Sequence, residues 1–151
     1  MSQSIPALSA LNLVARDMEV TLAFYRRLGV EIPHEKFWRT ESGIHHVEAS
    51  TPNGLELHFD SEELAASYDS GYSAAQTPQP GTRTIIGFSL SSREEVDERY
   101  GALLAAGYRG LQAPYDAFWG ARYAVVEDPD GRHVGLMSAV DPARKTAPPP
   151  L

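Results

Sequence analysis

The chain has 151 residues, enough for one ordinary domain or two very small modules sharing a core and too few for multidomain machinery. Hydrophobic residues make up 42% and charged residues 22%, which excludes a disordered or fibrous chain. Twenty acidic against thirteen basic residues leave a formal charge of -7, and the largest basic clusters are the pairs Arg26-Arg27 and Arg144-Lys145. Such a surface repels nucleic acid and attracts a cationic small molecule. The absence of cysteine excludes disulfides, thiolate zinc sites, iron–sulfur clusters and a cysteine nucleophile. No run of about eighteen apolar residues occurs, and Met1 to Ala10 has no basic segment followed by an apolar one, so the expectation is no membrane span and a cytoplasmic location.

In chain order, Ala7 to Ala15 is short and apolar and reads as a strand. Val20, Phe24 and Leu28 then recur at helical spacing up to Gly29, with Asp17 as the helix cap and Gly29 as a left-handed stop. Val30 to Thr40, Ile44 to Thr51 and Leu55 to Asp60 are extended, and Thr51-Pro52-Asn53-Gly54 is a tight-turn signal between the last two. Ser61 to Gly81, rich in Ser, Ala, Gln, Pro and Gly, reads as a linker with a brief helical turn at Glu62 to Tyr68.

The same order then returns. A strand at Thr82 to Leu90 leads into a Ser91-Ser92 cap and a helix to Gly107 with Val96, Tyr100 and Leu103 inward, followed by strands at Tyr108 to Tyr115, Arg122 to Glu127 and Arg132 to Ala139. Val20 against Val96, Phe24 against Tyr100 and Pro52 against Pro129 are separated by 76 or 77 residues, so the chain holds two copies of one βαβββ unit. The expected organisation is a first module at 1–60, a linker at 61–81, a second module at 82–140 and a flexible tail at 141–151. Each helix covers one face of its own sheet, and the opposite faces border a cleft.

The stretches LNLVARDMEVTLAFYRRLGVEI and FWGARYAVVEDPDGRHVGLM, in this duplicated order, resemble the vicinal oxygen chelate superfamily. That superfamily includes glyoxalase I, extradiol dioxygenases, fosfomycin-modifying enzymes and bleomycin-resistance proteins, and Phe118-Trp119-Gly120 looks most like the bleomycin-resistance or glyoxalase-like branch. The resemblance implies an α+β fold of two tandem βαβββ modules forming an eight-stranded, half-barrel-like cleft, and a homodimer. In metal-dependent members it also implies a divalent ion held from the first, fourth, fifth and eighth strands. Carried over, those positions are Ala10, Glu56, Ile85 and Gly135, of which only Glu56 can ligate. The expectation is therefore no metal and no cofactor, with a rearranged divalent-metal site around Glu56 as the alternative.

Strand alternation puts His58 on the face of Glu56, His133 and Met137 on the face of Gly135, and Asn12 and Gly87 on the corresponding first and fifth strands. Alanine and glycine at former ligand positions leave room for a bulky ligand. Glu56 and His58 are the candidate general acid–base pair. His45 and His46 point to opposite faces and are expected to face solvent, with His46 able to reach Glu56 or His58 across the hairpin. Trp38, Tyr115, Phe118 and Trp119 are candidate aromatic walls for a flat or cationic ligand. Arg122 holds either an acidic ligand group or a surface ion pair. Asp128-Pro129-Asp130-Gly131 lacks the later acidic ligand of a calcium loop and reads as a turn. The leading functional expectation is metal-independent capture of an aromatic or cationic compound, an antibiotic among the candidates. The alternative is a glyoxalase-type lyase or isomerase acting through Glu56 and His58.

Overall fold

The structure, a computed structural model, describes residues 5, 8, 10–69 and 84–150. Residues 7, 9, 70–81 and 82–83 of the expected elements lie outside the described residues. The chain divides into two compact units, Met1–Thr77 and Pro78–Leu151.

In the first unit, strand β1 (Ala10–Ala15) leads into helix α1 (Met18–Leu28), a 3-10 turn at His34–Lys36, strands β2 (Phe37–Thr40), β3 (Gly43–Ser50) and β4 (Glu56–Ser61), and helix α2 (Glu62–Tyr68). The sheet runs β1-β4-β3-β2, with β1 parallel to β4 and the other pairs antiparallel. Helix α1 starts where the Asp17 carboxylate accepts the Val20 amide at 3.1 Å, and it stops at Gly29, whose φ of 111° lets its amide close on the carbonyls of Tyr25 and Arg26. The buried stripe of α1 is Met18, Leu22, Tyr25 and Leu28 with Thr21 and Phe24, whereas Val20 is 47% exposed. Of Val20, Phe24 and Leu28, which recur at helical spacing, the last two are buried; the stripe runs three and four residues at a time from Met18, which leaves position 20 on its flank. Tyr25 packs its ring 5.1 Å from that of Phe59, and with Leu13, Val47 and Leu57 these residues make the core between helix and sheet. Part of the stretch expected as linker is α2, capped by Ser61 and packed on β1, β3 and β4, because its buried Ala65 and its Tyr68 both have partners in the sheet.

The second unit repeats the plan as β5 (Ile85–Ser89), α3 (Arg93–Ala105), β6 (Gly110–Asp116), β7 (Arg122–Glu127) and β8 (His133–Met137), in the order β5-β8-β7-β6 with β5 parallel to β8. Ser92 caps α3 by accepting the Glu95 amide, while the Glu95 carboxylate reaches back to the Ser91 amide. Val96 and Leu103 are buried against Ala124, Val126, Val134 and Leu136, and Tyr100 lies half-buried across Gly110. The fold is α+β, built of two tandem βαβββ modules whose sheets are each open.

The segment after β8, expected to fray, is tied down. The Asp141 amide donates to the Gly120 carbonyl and the Thr146 amide to that of Phe118, both at 2.9 Å, and a 3-10 turn follows at Pro142–Arg144. Gly120 holds φ 96°, and a Cβ there would run into the Asp141 carbonyl. Gly120→Ala is therefore expected to destabilise the protein by about 1–3 kcal/mol, read as a lower urea midpoint. An unchanged midpoint would contradict this account of the turn.

Candidate functional site

Because α1 covers the Leu57 and Phe59 side of the first sheet, alternation places Glu56, His58 and Asp60 of β4 on the other side. The register puts Ala10, Asn12 and Val14 of β1 beside these three, and Ser50, Glu48 and His46 of β3 beside them on the opposite flank. This face carries a connected polar network. His58 Nε2 lies 2.9 Å from Glu56 Oε2, and the His46 and His58 rings meet edge to face with centroids 5.2 Å apart. His46 Nδ1 lies 2.6 Å from Asp60 Oδ1, and its Nε2 lies 3.4 Å from Glu48.

Asp60 is the knot of the network, with only 1% of its surface exposed. Its other carboxylate oxygen accepts the Asn12 amide at 2.8 Å and the Tyr68 hydroxyl at 2.7 Å. Burial pushes this carboxyl upward, but the hydrogen bonds from Asn12, Tyr68 and His46 and the attraction of His46 outweigh it and hold the pKa below 3.8. Burial and the Asp60 carboxylate push the Tyr68 hydroxyl up to about 12, so it remains a donor. Asp60 and Tyr68 were not among the sequence candidates.

Phe37 faces α1, with the Arg26 guanidinium 5.6 Å from its ring centre. Trp38, the other aromatic of β2, pairs with His46, and its exposed ring lies 5.5 Å from that of His45. His45 does not face solvent as expected. It is 8% exposed, with Thr40 and Ser42 at one ring nitrogen and Ser61 at the other.

In the second unit the face turned away from α3 is aromatic. Tyr115 and Tyr123 pair across β6 and β7, Tyr123 pairs with Met137 on β8, and Glu127 pairs with His133. Tyr123 lies 6.2 Å from Tyr115 and 5.4 Å from Trp119, and Trp119 meets Phe118 at 5.2 Å, all in edge-on geometry. Burial, then the neighbouring Tyr115, pushes the Tyr123 hydroxyl above its ordinary value, so it stays protonated. The expected room is only partly present. A Cβ at Gly87 would meet nothing within 4 Å among the described residues, but one at Gly135 would lie 2.8 Å from the Tyr123 hydroxyl. The tyrosine ring fills the space that the glycine leaves. Arg122 belongs to the opposite face, where it binds Asp97 of α3 at 2.9 Å and Asp116 at 3.3 Å; alternation from Tyr123 puts it there.

The sequence pattern of the Glyoxalase/Bleomycin resistance protein/Dioxygenase superfamily matches residues 7–136. The chain belongs to that superfamily. Its structure is similar to that of a glyoxalase/bleomycin resistance protein/dioxygenase from Nocardioides, with a TM-score of 0.66, 25% identity, and 93% of this chain and 87% of that one covered. It is also similar to a family enzyme from Burkholderia phytofirmans PsJN, with a TM-score of 0.71, 21% identity and 89% and 100% covered. A glyoxalase-related enzyme from Fulvimarina pelagi gives 0.70, 20%, and 89% of each chain. Among curated proteins none matches the chain.

The superfamily's metal does not fit the donors that stand at the carried-over positions. Ala10 and Ile85 have no donor, and Gly135 has neither a side chain nor space for one beside Tyr123. The register makes Ile85 and His133 the counterparts of Ala10 and Glu56, which adds one imidazole without completing a set in either unit. Among the described residues no group of three or more His, Cys, Asp or Glu side chains is arranged to hold an ion.

Since Asp60 titrates lower in the folded than in the unfolded chain, its ionised form adds stability that is fully present above the unfolded value. That stability disappears as pH falls through the folded pKa. Asp60→Ala should cost about 3 kcal/mol at pH 7 and flatten the loss of stability below about pH 4, measured by urea unfolding across pH. An acid limb identical to that of the parent would contradict the role given to Asp60.

Proposed function

We propose that the protein binds a flat aromatic or cationic small molecule without the superfamily's metal, as a bleomycin-resistance-like binding protein does. The observation that carries this reading is the aromatic cluster of the second unit, where Tyr123 lies across Gly135 and joins Tyr115 and Trp119 in one platform. Stacking and cation–π contacts on such a surface need no chemical step and contribute about 0.5–2 kcal/mol per ring. The net charge of -7 favours a cationic ligand. No helix of the described residues is long and apolar enough to cross a membrane.

A second reading rests on a different observation, two imidazoles on the far face of the first sheet, each within hydrogen-bond distance of a carboxylate, His46 with Asp60 and His58 with Glu56. That pairing suits an acid–base lyase or isomerase. Turnover of a bound ligand that ceases in Glu56→Gln while binding persists would favour this enzyme over a binding protein.

Titration calorimetry with bleomycin and with ethidium, each with and without EDTA, tests the first reading. The expected result is saturable binding that EDTA leaves unchanged and that Trp119→Ala weakens about tenfold. Heat that appears only after divalent ions are added, or no heat with either compound, would overturn it.

A further inference from the structure

We propose that Ser42 is an activated nucleophile that accepts an acyl group from activated esters, with His45 as its general base. Groups from the end of β2, the β2–β3 turn and the junction of β4 with α2 converge on the His45 ring. At Nε2 lie the Ser42 hydroxyl at 3.0 Å and the Thr40 hydroxyl at 2.7 Å, and the two hydroxyls are 2.9 Å apart. At Nδ1 lie the Ser61 hydroxyl at 3.0 Å and the Glu63 carboxylate at 3.7 Å. Ser61 Oγ, which already accepts the Leu64 amide at 3.1 Å, can accept from Nδ1 as well, and the exposed Glu63 carboxylate adds negative charge on that side; with the ring proton on Nδ1, the Nε2 lone pair faces the two hydroxyls. A nucleophile, a base within hydrogen-bond reach and a third group that orients the base are the parts nucleophilic catalysis requires.

The exposures match these roles. The His45 side chain is only 10% exposed and is held on both sides, while Ser42 stands exposed in the turn. Ser42 has an unbranched hydroxyl, whereas Thr40 is branched and its oxygen already accepts the Ser42 amide at 3.3 Å. The Ser42 proton reaches Nε2 either directly or through Thr40, so both routes end on the same base. Trp38, 53% exposed with its ring 5.5 Å from that of His45, offers a ledge for the aryl group of an ester. In the step, Ser42 Oγ bonds to the carbonyl carbon as its proton passes to His45 Nε2. The bond from that carbon to the aryl oxide then breaks, and the aryl oxide leaves with the proton. The products are an O-acyl Ser42 and a phenol. Ser61 and Glu63 act through His45 and are positioning residues.

The test is incubation of the whole protein with p-nitrophenyl acetate at pH 7.5, followed by peptide mass mapping of the acetyl group over time. Acetylation of Ser42 is expected about a hundredfold faster than of Ser50, an exposed serine of β3, and about a hundredfold slower in His45→Gln. Ser42→Ala, in an exposed turn, should lose the fast nitrophenol release without loss of fold, and Glu63→Gln should slow it while acetylation still maps to Ser42. Acetyl groups on Thr40, lysines or the N-terminus alone, or equal Ser42 rates in parent, His45→Gln and Glu63→Gln, would overturn the proposal.

Discussion

In each unit a long helix, α1 or α3, covers one face of a four-stranded sheet. The side chains of the opposite face are left to build the polar network of the first unit, which α2 joins through Tyr68, and the aromatic cluster of the second. That constraint places the residues of both the proposed binding site and the proposed acid–base site. The parallel pairs β1 with β4 and β5 with β8 fix the register, and alternation then decides which residues share the face turned away from α1 or α3. Leu57 and Phe59 go to the core of the first unit and Glu56, His58 and Asp60 to the far side; Ala124 and Val126 go to the core of the second and Tyr123 and Val125 away from α3.

The same scaffold carries opposite chemistry in its two copies. The first sheet gathers imidazoles and carboxylates around a buried, ionised Asp60, which joins β1, β3, β4 and α2 through Asn12, His46 and Tyr68. A buried carboxylate is tolerable only when its oxygens are satisfied, and three donors supply that. The second sheet gathers aromatic rings, and its turn at Phe118–Gly120 is gripped by the returning C-terminal segment. On β8 Gly135 lies under the Tyr123 ring, and the two residues depend on each other sterically.

Periodicity made the fold legible. The Asp17 and Ser92 caps, the Gly29 stop and the duplicated order rest on local physics that the sequence displays directly, and the helix and strand order followed from them. The site was legible only as far as alternation was carried. Glu56 and His58 were found because they lie two apart, but the next residue on the same face, Asp60, stood at the expected end of its strand, and its donor Tyr68 stood in a stretch taken for linker. Contacts between side chains distant in sequence leave no periodic trace. For that reason the ring of Tyr123 over Gly135, the commitment of Arg122 to Asp97 and Asp116, and the burial of His45 among Thr40, Ser42 and Ser61 became visible only in three dimensions.

The central proposal is that the ligand binds on the aromatic face of the second unit, around Tyr123 and Trp119, without a metal ion. Anomalous scattering at the zinc absorption edge, from crystals of the full chain grown with zinc and a flat aromatic cation, addresses it most directly. The account predicts the ligand's ring packed against Trp119 and Tyr123 with no ordered ion on Glu56 or His133. An anomalous peak within bonding distance of either side chain would contradict it.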